Sequence, residues 1–476
     1  MKPSAPKNPT PIFALTFGLF LGLCLWKFGN PVILENKIGS PANAAEFWGN
    51  AWPPRWANWM LLALAGFGGL LIFKNRHRRP SGKSAIENRQ SKIKWLCLLP
   101  LGWLGWQFVS ATQTVDADLT RATLWQFSGC VVCYFLGAFF FNHQQARNFL
   151  FIGLLTAFTF CLIRAVNQHC FEFPANYQVL TEGERDGWTN FPPETVVAMK
   201  SENVIITTNG VDIANRVILE KFRKGRAAGT MVYPNALAGL ILLLLPAALV
   251  LALGATEKMK SPIRLAALAL AIFLGGAAFF WSGSKLGWLI AIAVAGIYLL
   301  RLDWPRKMKL TAVALVLIGG LGIFAVRFQH YFAKGATSAS ARLDYWRAAV
   351  QTTAAKPVFG TGPGTFQRPY AELKAPESEM ARLTHNDYLE QFSDSGIPGG
   401  LTYAAWILFA LTFIGKKLWR PGGSLSFAIF IGLLAWFAQG FGEFGLYIPA
   451  LAWTAFTLFG CLLGGEINSG STAKRS

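Results

Sequence analysis

Charged side chains are scarce in this 476-residue chain. Asp, Glu, Lys and Arg make up 14% of it and hydrophobic residues 53%, whereas a soluble globular domain carries roughly 25% charged residues. This composition excludes an ordinary soluble enzyme. Acidic residues are especially few, because 24 Asp and Glu face 44 Lys and Arg, a net charge of +20. Such an excess occurs in proteins that bind nucleic acid or membrane surfaces, so the positions of the charges must decide its meaning.

Cysteine offers no framework for disulfides or metal. Nearly all of the seven cysteines lie inside apolar runs. Cys130 and Cys133 have the spacing of a redox motif, but their segment is apolar and lacks the strand–helix–strand pattern of such motifs. We therefore expect neither a metal site nor a cofactor.

Long apolar runs are abundant, in contrast to charge. Twelve stretches have the length of about 17 to 22 residues that a helix needs to cross a hydrocarbon core roughly 30 Å thick. They cover residues 11–29, 57–73, 95–111, 123–141, 148–166, 233–254, 264–281, 285–300, 309–326, 399–415, 424–441 and 444–464. The sequence therefore predicts an all-α, polytopic membrane protein with about 12 transmembrane helices. The segment from Trp281 to Lys285 is either a tight turn between two spans or a break in one long span.

The positions of the basic residues predict the orientation. If the N-terminus is cytoplasmic, alternation places the basic segments 74–94, 258–264, 301–309 and 416–420 on the cytoplasmic side. This agrees with the rule that Lys and Arg are concentrated in cytoplasmic connections. Nearly all of the excess positive charge then reflects topology and not a nucleic-acid partner. Both termini are expected in the cytoplasm.

Two predicted extracytoplasmic segments are too long to be simple connections. They cover residues 167–232 and 327–398, and we expect short helices in both. They separate the N-terminal transmembrane helices (1–166), the central helices (233–326) and the C-terminal helices with a cytoplasmic tail (399–476). No Asp or Glu lies near the middle of a predicted span, which disfavours a proton-driven transporter. The polar chemistry is expected in the long outer segments.

The second long segment carries three motifs. Its predicted helix from Thr337 to Val350 places Arg342 and Trp346 on one face, which can also lie on the membrane surface. In the turn after it, Gly362 and Gly364 permit either a tight turn or a nest of N–H groups that binds an anion. Next comes the Leu383–Phe392 motif.

His385 is the residue of that motif with the chemistry of a base. Thr384 or Asn386 can cap a short helix, which places His385 at its N-terminus, where the helix dipole favours the neutral imidazole. His385 can instead have a structural role. Asp387 either orients His385 or is an acidic residue of the first turn.

Two cations are predicted on the outer side, where topology does not require them. Arg226 ends a basic cluster before the span that follows Pro234, and a bound anion, lipid headgroups or Glu220 would balance its charge. Lys285 begins a span and binds an anion or extends to the membrane surface.

Taken together, these motifs resemble the O-antigen ligase and polymerase superfamily of bacterial envelope glycosyltransferases, most closely over residues 225–400. The residues that carry the resemblance are Arg226, Gly229, Pro234, Asn235, Ser284, Lys285, Arg342, Trp346, Gly362, Gly364, Phe366, His385, Asn386, Tyr388, Leu389 and Gly396. Lys285 stands where relatives usually have Arg, and Lys lacks the planar guanidinium group that binds phosphate through two hydrogen bonds.

The resemblance implies metal-independent, inverting glycan transfer from an undecaprenyl diphosphate carrier to a hydroxyl of lipid A core, a glycan or a protein. The reaction would take place on the periplasmic face of the bacterial inner membrane, in lipopolysaccharide or exopolysaccharide biosynthesis. His385 would be the base, and Arg226 and Lys285 would stabilise the diphosphate. The resemblance further implies substrate binding by Asn235, Ser284, Arg342, Trp346, Gly362, Gly364, Asn386 and Asp387.

Several alternatives remain open at this point. Within the family, a ligase, a polymerase and a protein-glycosylating enzyme share the donor chemistry. A membrane transporter of a small anion or a lipid-linked sugar would also have twelve spans and outward cations. A non-catalytic assembly scaffold would tolerate substitution of the motif residues.

Overall fold

A computed structural model describes residues 10–76, 87–333, 337–419 and 424–472. In these ranges the chain is almost entirely helical, and its strands form one two-stranded sheet. The predicted all-α class is confirmed. Some of the basic residues used to predict orientation, such as Lys2, Arg78, Lys83 and Lys474, lie outside the described residues.

The helices follow the apolar stretches of the sequence. They are α1 Thr10–Lys27, α2 Ala44–Gly49, α3 Pro54–Arg76, α4 Glu87–Ala111, α5 Ala117–Phe140, α6 Gln144–Asn167, α7 Phe173–Arg185, α8 Pro193–Ser201, α9 Arg216–Lys224, α10 Pro234–Ala255, α11 Ser261–Ser282, α12 Lys285–Arg301, α13 Arg306–Ala333, α14 Thr337–Ala355, α15 Gln367–Leu373, α16 Asp387–Leu418, α17 Ser424–Gln439 and α18 Pro449–Thr472. The strands are β1 Ile205–Thr208 and β2 Val211–Ala214.

Eight helical segments of the described chain are long and apolar enough to cross a membrane. They are α1, α3, α5, the continuous α6–α7 segment, α10, α11, α13 and α16, while α17 and α18 contain shorter apolar stretches. The chain is thus a multi-pass membrane protein. Each of the twelve predicted stretches overlaps a helix over most of its length, but a count of twelve spans and the orientation remain predictions.

Contacts between helix ends define two ends of the bundle. At one end, Ala450 N donates to Phe28 O and Val232 N donates to Gly29 O, both at 3.2 Å. At the other, Arg147 donates to Ser426 Oγ at 2.8 Å, and Arg301 Nε donates to Leu418 O at 3.1 Å. The first end is called the site end below.

The first long segment differs from its prediction. No loop follows α6 at Asn167. The helical chain continues through a π-helical turn, Gln168–Glu172, into α7, which ends at Arg185. A β-hairpin follows, with β1 antiparallel to β2. Asn209 and Gly210 form its turn with φ of 52° and 79°, the left-handed conformation that favours Asn-Gly in such turns. The hairpin was missed from sequence although this local signal was present.

Helix α16 begins at Asp387, ahead of the predicted boundary at residue 399. Its kink lies at Gly396, with φ 69° and ψ −177°, just before Pro398. The turns before the kink carry three carboxylates, Asp387, Glu390 and Asp394, that are all buried. Sequence reasoning assigned these acids to an outer loop, whereas they belong to the packed interior of the bundle.

The glycine turn Gly360–Gly364 is a buried joint between α5, α14 and α16. Gly362 N donates to Asp394 O at 2.8 Å, and Gly364 N donates to Asp394 Oδ2 at 2.7 Å. Gly362 and Gly364 have positive φ, and a Cβ at Gly364 would overlap the Thr123 hydroxyl. The nest of N–H groups therefore binds a carboxylate of the protein itself, which fixes the second long segment beneath α16.

We predict that Gly364→Ala destabilises the protein much more than Gly210→Ala. Both glycines have φ of 79°, so each alanine pays the roughly 1–2 kcal/mol of left-handed strain. Only the Cβ at residue 364 also meets a neighbour, because nothing lies within 4 Å of the one at residue 210. Thermal unfolding of both variants in detergent measures the difference. Equal losses in Tm would show that the joint has room to adapt.

Candidate functional site

Four polar side chains meet at the site end around one carboxylate, that of Glu443. Its Oε1 accepts hydrogen bonds from Arg342 Nη2 at 2.6 Å and from Asn235 Nδ2 at 2.7 Å. Its Oε2 lies 3.6 Å from His385 Nδ1. Arg226 joins the group by donating from Nη2 to Asn235 Oδ1 at 2.8 Å. Segments far apart in the sequence therefore converge on a single acid.

The turn between α11 and α12 positions Arg226. Gly283 ends α11 in the left-handed conformation, with φ of 59°. The last carbonyls of a helix lack intrahelical partners, and Arg226 Nε donates to one of them, Ser282 O, at 2.8 Å. The segment from Trp281 to Lys285 is thus a tight turn between two helices. A Cβ at Gly283 would lie 3.1 Å from Arg226 Nε.

Lys285 is the second cation on this turn. Ser284 caps α12 by accepting from Gly287 N at 3.2 Å, which places Lys285 in the first turn. The Lys285 ammonium lies 4.0 Å from the centre of the Tyr331 ring and 5.5 Å from that of Phe328. Its charged neighbours are Arg226, Arg342 and Lys224. Within the described part of the chain, no carboxylate forms an ion pair with it.

Cations therefore outnumber acids in the site. Arg226, Lys285 and Arg342 lie close enough to influence one another electrostatically. Among them, Arg342 pairs with Glu443, whose side chain is 11% exposed. Burial lowers the pKa of Arg226, Glu443 raises it in part, and Arg342 lowers it further; an arginine nevertheless stays charged. The surplus of positive charge favours a ligand with at least two negative charges.

His385 lies beside this cation cluster with a constrained backbone. Its φ of 52° is left-handed, a strain of about 1–3 kcal/mol that occurs mainly at functional positions. The ring stacks on Tyr345 at 5.9 Å and meets Phe444 edge-on at 4.6 Å. Nδ1 faces Glu443, which leaves Nε2 to take up a proton. The side chain is 30% exposed, so substrate can reach it.

Asn386 and Asp387 have structural positions beside His385. Asn386 caps α16 by accepting from Tyr388 N at 3.1 Å and Leu389 N at 3.0 Å. The buried Asp387 carboxylate accepts from Leu446 N at 3.2 and 3.3 Å. Asp387 thus ties α16 to the α17–α18 connection, and Glu443 faces the imidazole instead.

Sequence reasoning missed the role of Glu443. In the sequence it is an acid near the end of a predicted span, and no motif assigns it a partner. A signal was present, because no other Asp or Glu occurs between Asp394 and Glu466. An isolated acid at the end of an apolar run requires partners when it is buried. Its partners could not be read from the sequence, since Asn235 is 208 residues away.

Other predicted site residues lie apart from the cations. Trp346 is half-buried in a cluster with Tyr345, Phe366 and Tyr370, and α14 packs on α16 rather than lying free on the membrane. Gly362 and Gly364 belong to the buried joint. These three residues carry no direct contact to the cation cluster.

A narrow cleft leads to the shared carboxylate. Its walls come from the start of α10 and from the α17–α18 connection, and they include Tyr233, Asn235, Asp387, Gly440, Glu443 and Phe444. In the described ranges, no three His, Cys, Asp or Glu side chains cluster as metal ligands would. The site is thus organised by cations, one imidazole and one carboxylate.

Residues 267–404 match the family model described as O-antigen ligase. The matched range includes Lys285, Arg342 and His385, whereas Arg226, Asn235 and Glu443 lie outside it. A comparison with curated proteins found no match. The resemblance predicted from the motifs is confirmed for this O-antigen ligase domain, which covers well under half of the chain. Members of this family are glycosyltransferase-like enzymes that act on lipid-linked glycans.

We predict strong energetic coupling between Arg342 and Glu443. Their side chains are only 20% and 11% exposed, and a charge-assisted hydrogen bond in such surroundings contributes more than an exposed one. A double-mutant cycle of Arg342→Gln and Glu443→Gln should give a coupling energy above about 1 kcal/mol in unfolding.

The Arg223–Glu220 ion pair provides the matched control. Its nitrogen–oxygen distance is 2.8 Å, against 2.6 Å between Arg342 and Glu443, but its side chains are 60% and 44% exposed. Its cycle should give less than about 1 kcal/mol. Coupling energies of equal size in the two cycles would contradict the central role assigned to Glu443.

Proposed function

We propose that this protein is an O-antigen ligase-like glycosyltransferase of the bacterial inner membrane. It moves a glycan from undecaprenyl diphosphate to an acceptor hydroxyl on the periplasmic face. The observation that carries this proposal is a cluster of three cations and an imidazole at the end of a helix bundle, in which Arg342 and His385 face the carboxylate of Glu443. The O-antigen ligase match supports the same chemistry.

The cations fit a diphosphate leaving group. When the bond from the anomeric carbon to the diphosphate oxygen breaks, negative charge develops on that oxygen, and fixed cations lower the energy of this transition state. Donor groups remain available there. Arg342 Nε is buried and, among the described residues, has no hydrogen-bond partner. The Lys285 ammonium has aromatic rings at its side and forms no ion pair with a carboxylate of the described chain, so it can turn to a phosphate oxygen.

His385 is placed to act as the general base. Its Nε2 accepts the proton of the acceptor hydroxyl while that oxygen attacks the anomeric carbon and the lipid diphosphate leaves. Direct displacement of this kind inverts the configuration at carbon. Glu443 stabilises the imidazolium that forms, as an acid does for histidine bases in general. The proton thus goes to His385, the glycan to the acceptor oxygen, and the lipid diphosphate leaves.

The lipid tail of the donor fits the surface beside the site. Helices α11 and α13 reach the site end. Of the residues in their most apolar stretches, 11% in α11 and 0% in α13 are buried within the protein. Ile272, Phe273, Leu315 and Ile318 are among their exposed apolar side chains. A polyprenyl chain can lie along this surface within the bilayer while the diphosphate occupies the cation cluster. The acceptor is lipid A core, a second glycan, as in a polymerase, or a protein hydroxyl.

We predict that His385→Asn lowers transfer by at least about a hundredfold, the lower limit for loss of a general base. The assay uses purified protein in proteoliposomes with an undecaprenyl diphosphate-linked glycan and measures glycosylated acceptor. The control is His330→Asn, because His330 is exposed near the end of α13. Turnover of the His385 variant at the wild-type rate would exclude the base assignment.

Arg226→Ala and Lys285→Ala should each weaken use of the donor by about tenfold or more, since hydrogen bonds to charged groups contribute about 1.5–3 kcal/mol. Lys285→Arg should retain the function, because it keeps the charge and presents a planar guanidinium group that can bind phosphate through two N–H groups. Donor KM and kcat/KM are measured in the same proteoliposomes. Lys356→Ala, which removes an exposed outer cation, is the control. Unchanged donor kinetics in the alanine variants would contradict a diphosphate site here.

A further inference from the structure

A second, larger cleft lies at the site end. It has a volume of about 530 Å³ and is formed by the α1–α3 connection and the starts of α3 and α5. Its polar lining consists of Glu35, Asn36, Arg55, Asn58, Asp118 and Arg121. This volume falls within the range of roughly 300–1,000 Å³ that is usual for ligand pockets. None of these residues takes part in the cation cluster.

The charges of this cleft balance. Glu35 and Asp118 face Arg55 and Arg121, and Arg121 Nη2 forms an ion pair with Asp118 Oδ1 at 2.8 Å. A balanced set of charges does not concentrate an anion, in contrast to the cation cluster around Glu443. Carboxylates, amides and guanidinium groups are instead planar groups that exchange paired hydrogen bonds with neighbouring hydroxyls.

Two indole rings complete the lining. Trp59 and Trp125 have ring centres 6.5 Å apart, and they are 67% and 42% exposed. An exposed aromatic face stacks on the apolar C–H face of a ring-shaped ligand. Aromatic faces next to planar hydrogen-bonding groups match a sugar, which has both an apolar face and a rim of hydroxyls. Acyl chains of lipid would offer no hydrogen bonds to the charged groups of the cleft.

Contacts place the cleft close to the site but apart from it. Val115 N, at the start of α5, donates to Thr361 O of the second long segment at 2.9 Å. Leu446 N donates to Asp387, and Leu446 O accepts from Gln126 Nε2 of α5 at 2.8 Å. The connection into α18 therefore lines the narrow cleft and also contacts α5, the helix whose first turns line the larger cleft. A glycan chain with one end at His385 can extend along this end of the bundle.

We propose that this cleft is a carbohydrate subsite, which binds a sugar unit of the glycan away from the reacting bond. The proposal rests on the proposed function for the presence of a glycan at this end. The glycan is the donor's or the acceptor's, and the two share the chemistry that the cleft recognises. The subsite would hold the chain by stacking on Trp59 and Trp125 and by hydrogen bonds to the polar rim.

The test measures binding and transfer separately. Full-length protein in nanodiscs is titrated calorimetrically with two probes, the oligosaccharide released from the donor by mild acid and the deacylated lipid A core oligosaccharide. The variants are Trp59→Ala with Trp125→Ala, the conservative Trp59→Phe with Trp125→Phe, and Trp304→Ala as control. Trp304 is 41% exposed and lies near Arg301 at the opposite end of the bundle.

The proposal expects at least one probe to bind wild-type protein and His385→Asn equally. The double alanine variant should lose about tenfold or more of that affinity, as at other aromatic binding residues, while the phenylalanine variant and Trp304→Ala retain it. In the transfer assay, KM for the same substrate should rise with kcat unchanged, which identifies the glycan as donor or acceptor.

Two results overturn the carbohydrate subsite. One is that neither probe binds wild-type protein, and the other is that the double alanine variant binds as tightly as wild type. If transfer proceeds normally in the double alanine variant, the subsite fails and the proposed function stands. If a probe binds through the two indoles but wild-type protein transfers no glycan, the subsite stands and the proposed function fails.

Discussion

Glu443 is the carboxylate on which the arrangement of the site depends. A buried acid is stable only when its charge and its lone pairs have partners, and here Arg342 and Asn235 supply them at 2.6 and 2.7 Å. The same requirement draws α14, the start of α10 and the α17–α18 connection together. His385 then faces the remaining oxygen. One electrostatic constraint thus brings an imidazole, a carboxylate and an arginine together.

The joint beneath α16 makes this arrangement stiff. Asp394 binds the backbone of Gly362 and Gly364, and Asp387 binds that of Leu446. His385 lies directly before the helix that these two carboxylates fix. Catalytic groups need such support because small displacements of a base or a cation cost much of the rate. Asp387 and Asp394 therefore stabilise the structure around the site, while His385 is the residue proposed as the base.

Two kinds of polar surface share one end of the bundle. Around Glu443 the charge is strongly positive, which suits a diphosphate. In the cleft of Trp59 and Trp125 the charges balance and aromatic faces are exposed, which suits neutral sugar rings. A lipid-linked glycan has both parts, joined through the bond that is to be broken.

The sequence by itself determined the helical architecture and much of the site. Apolar length and helix caps are local properties, so the positions of α10 or α12 and the cap at Asn386 could be predicted, and the motifs identified Arg226, Lys285, Arg342 and His385. Only the tertiary structure decided the partners. Glu443 faces His385, Asp387 binds a backbone N–H, and Asp394 fills the glycine nest, because pairing across hundreds of residues depends on how helices pack and on which buried charge finds a donor.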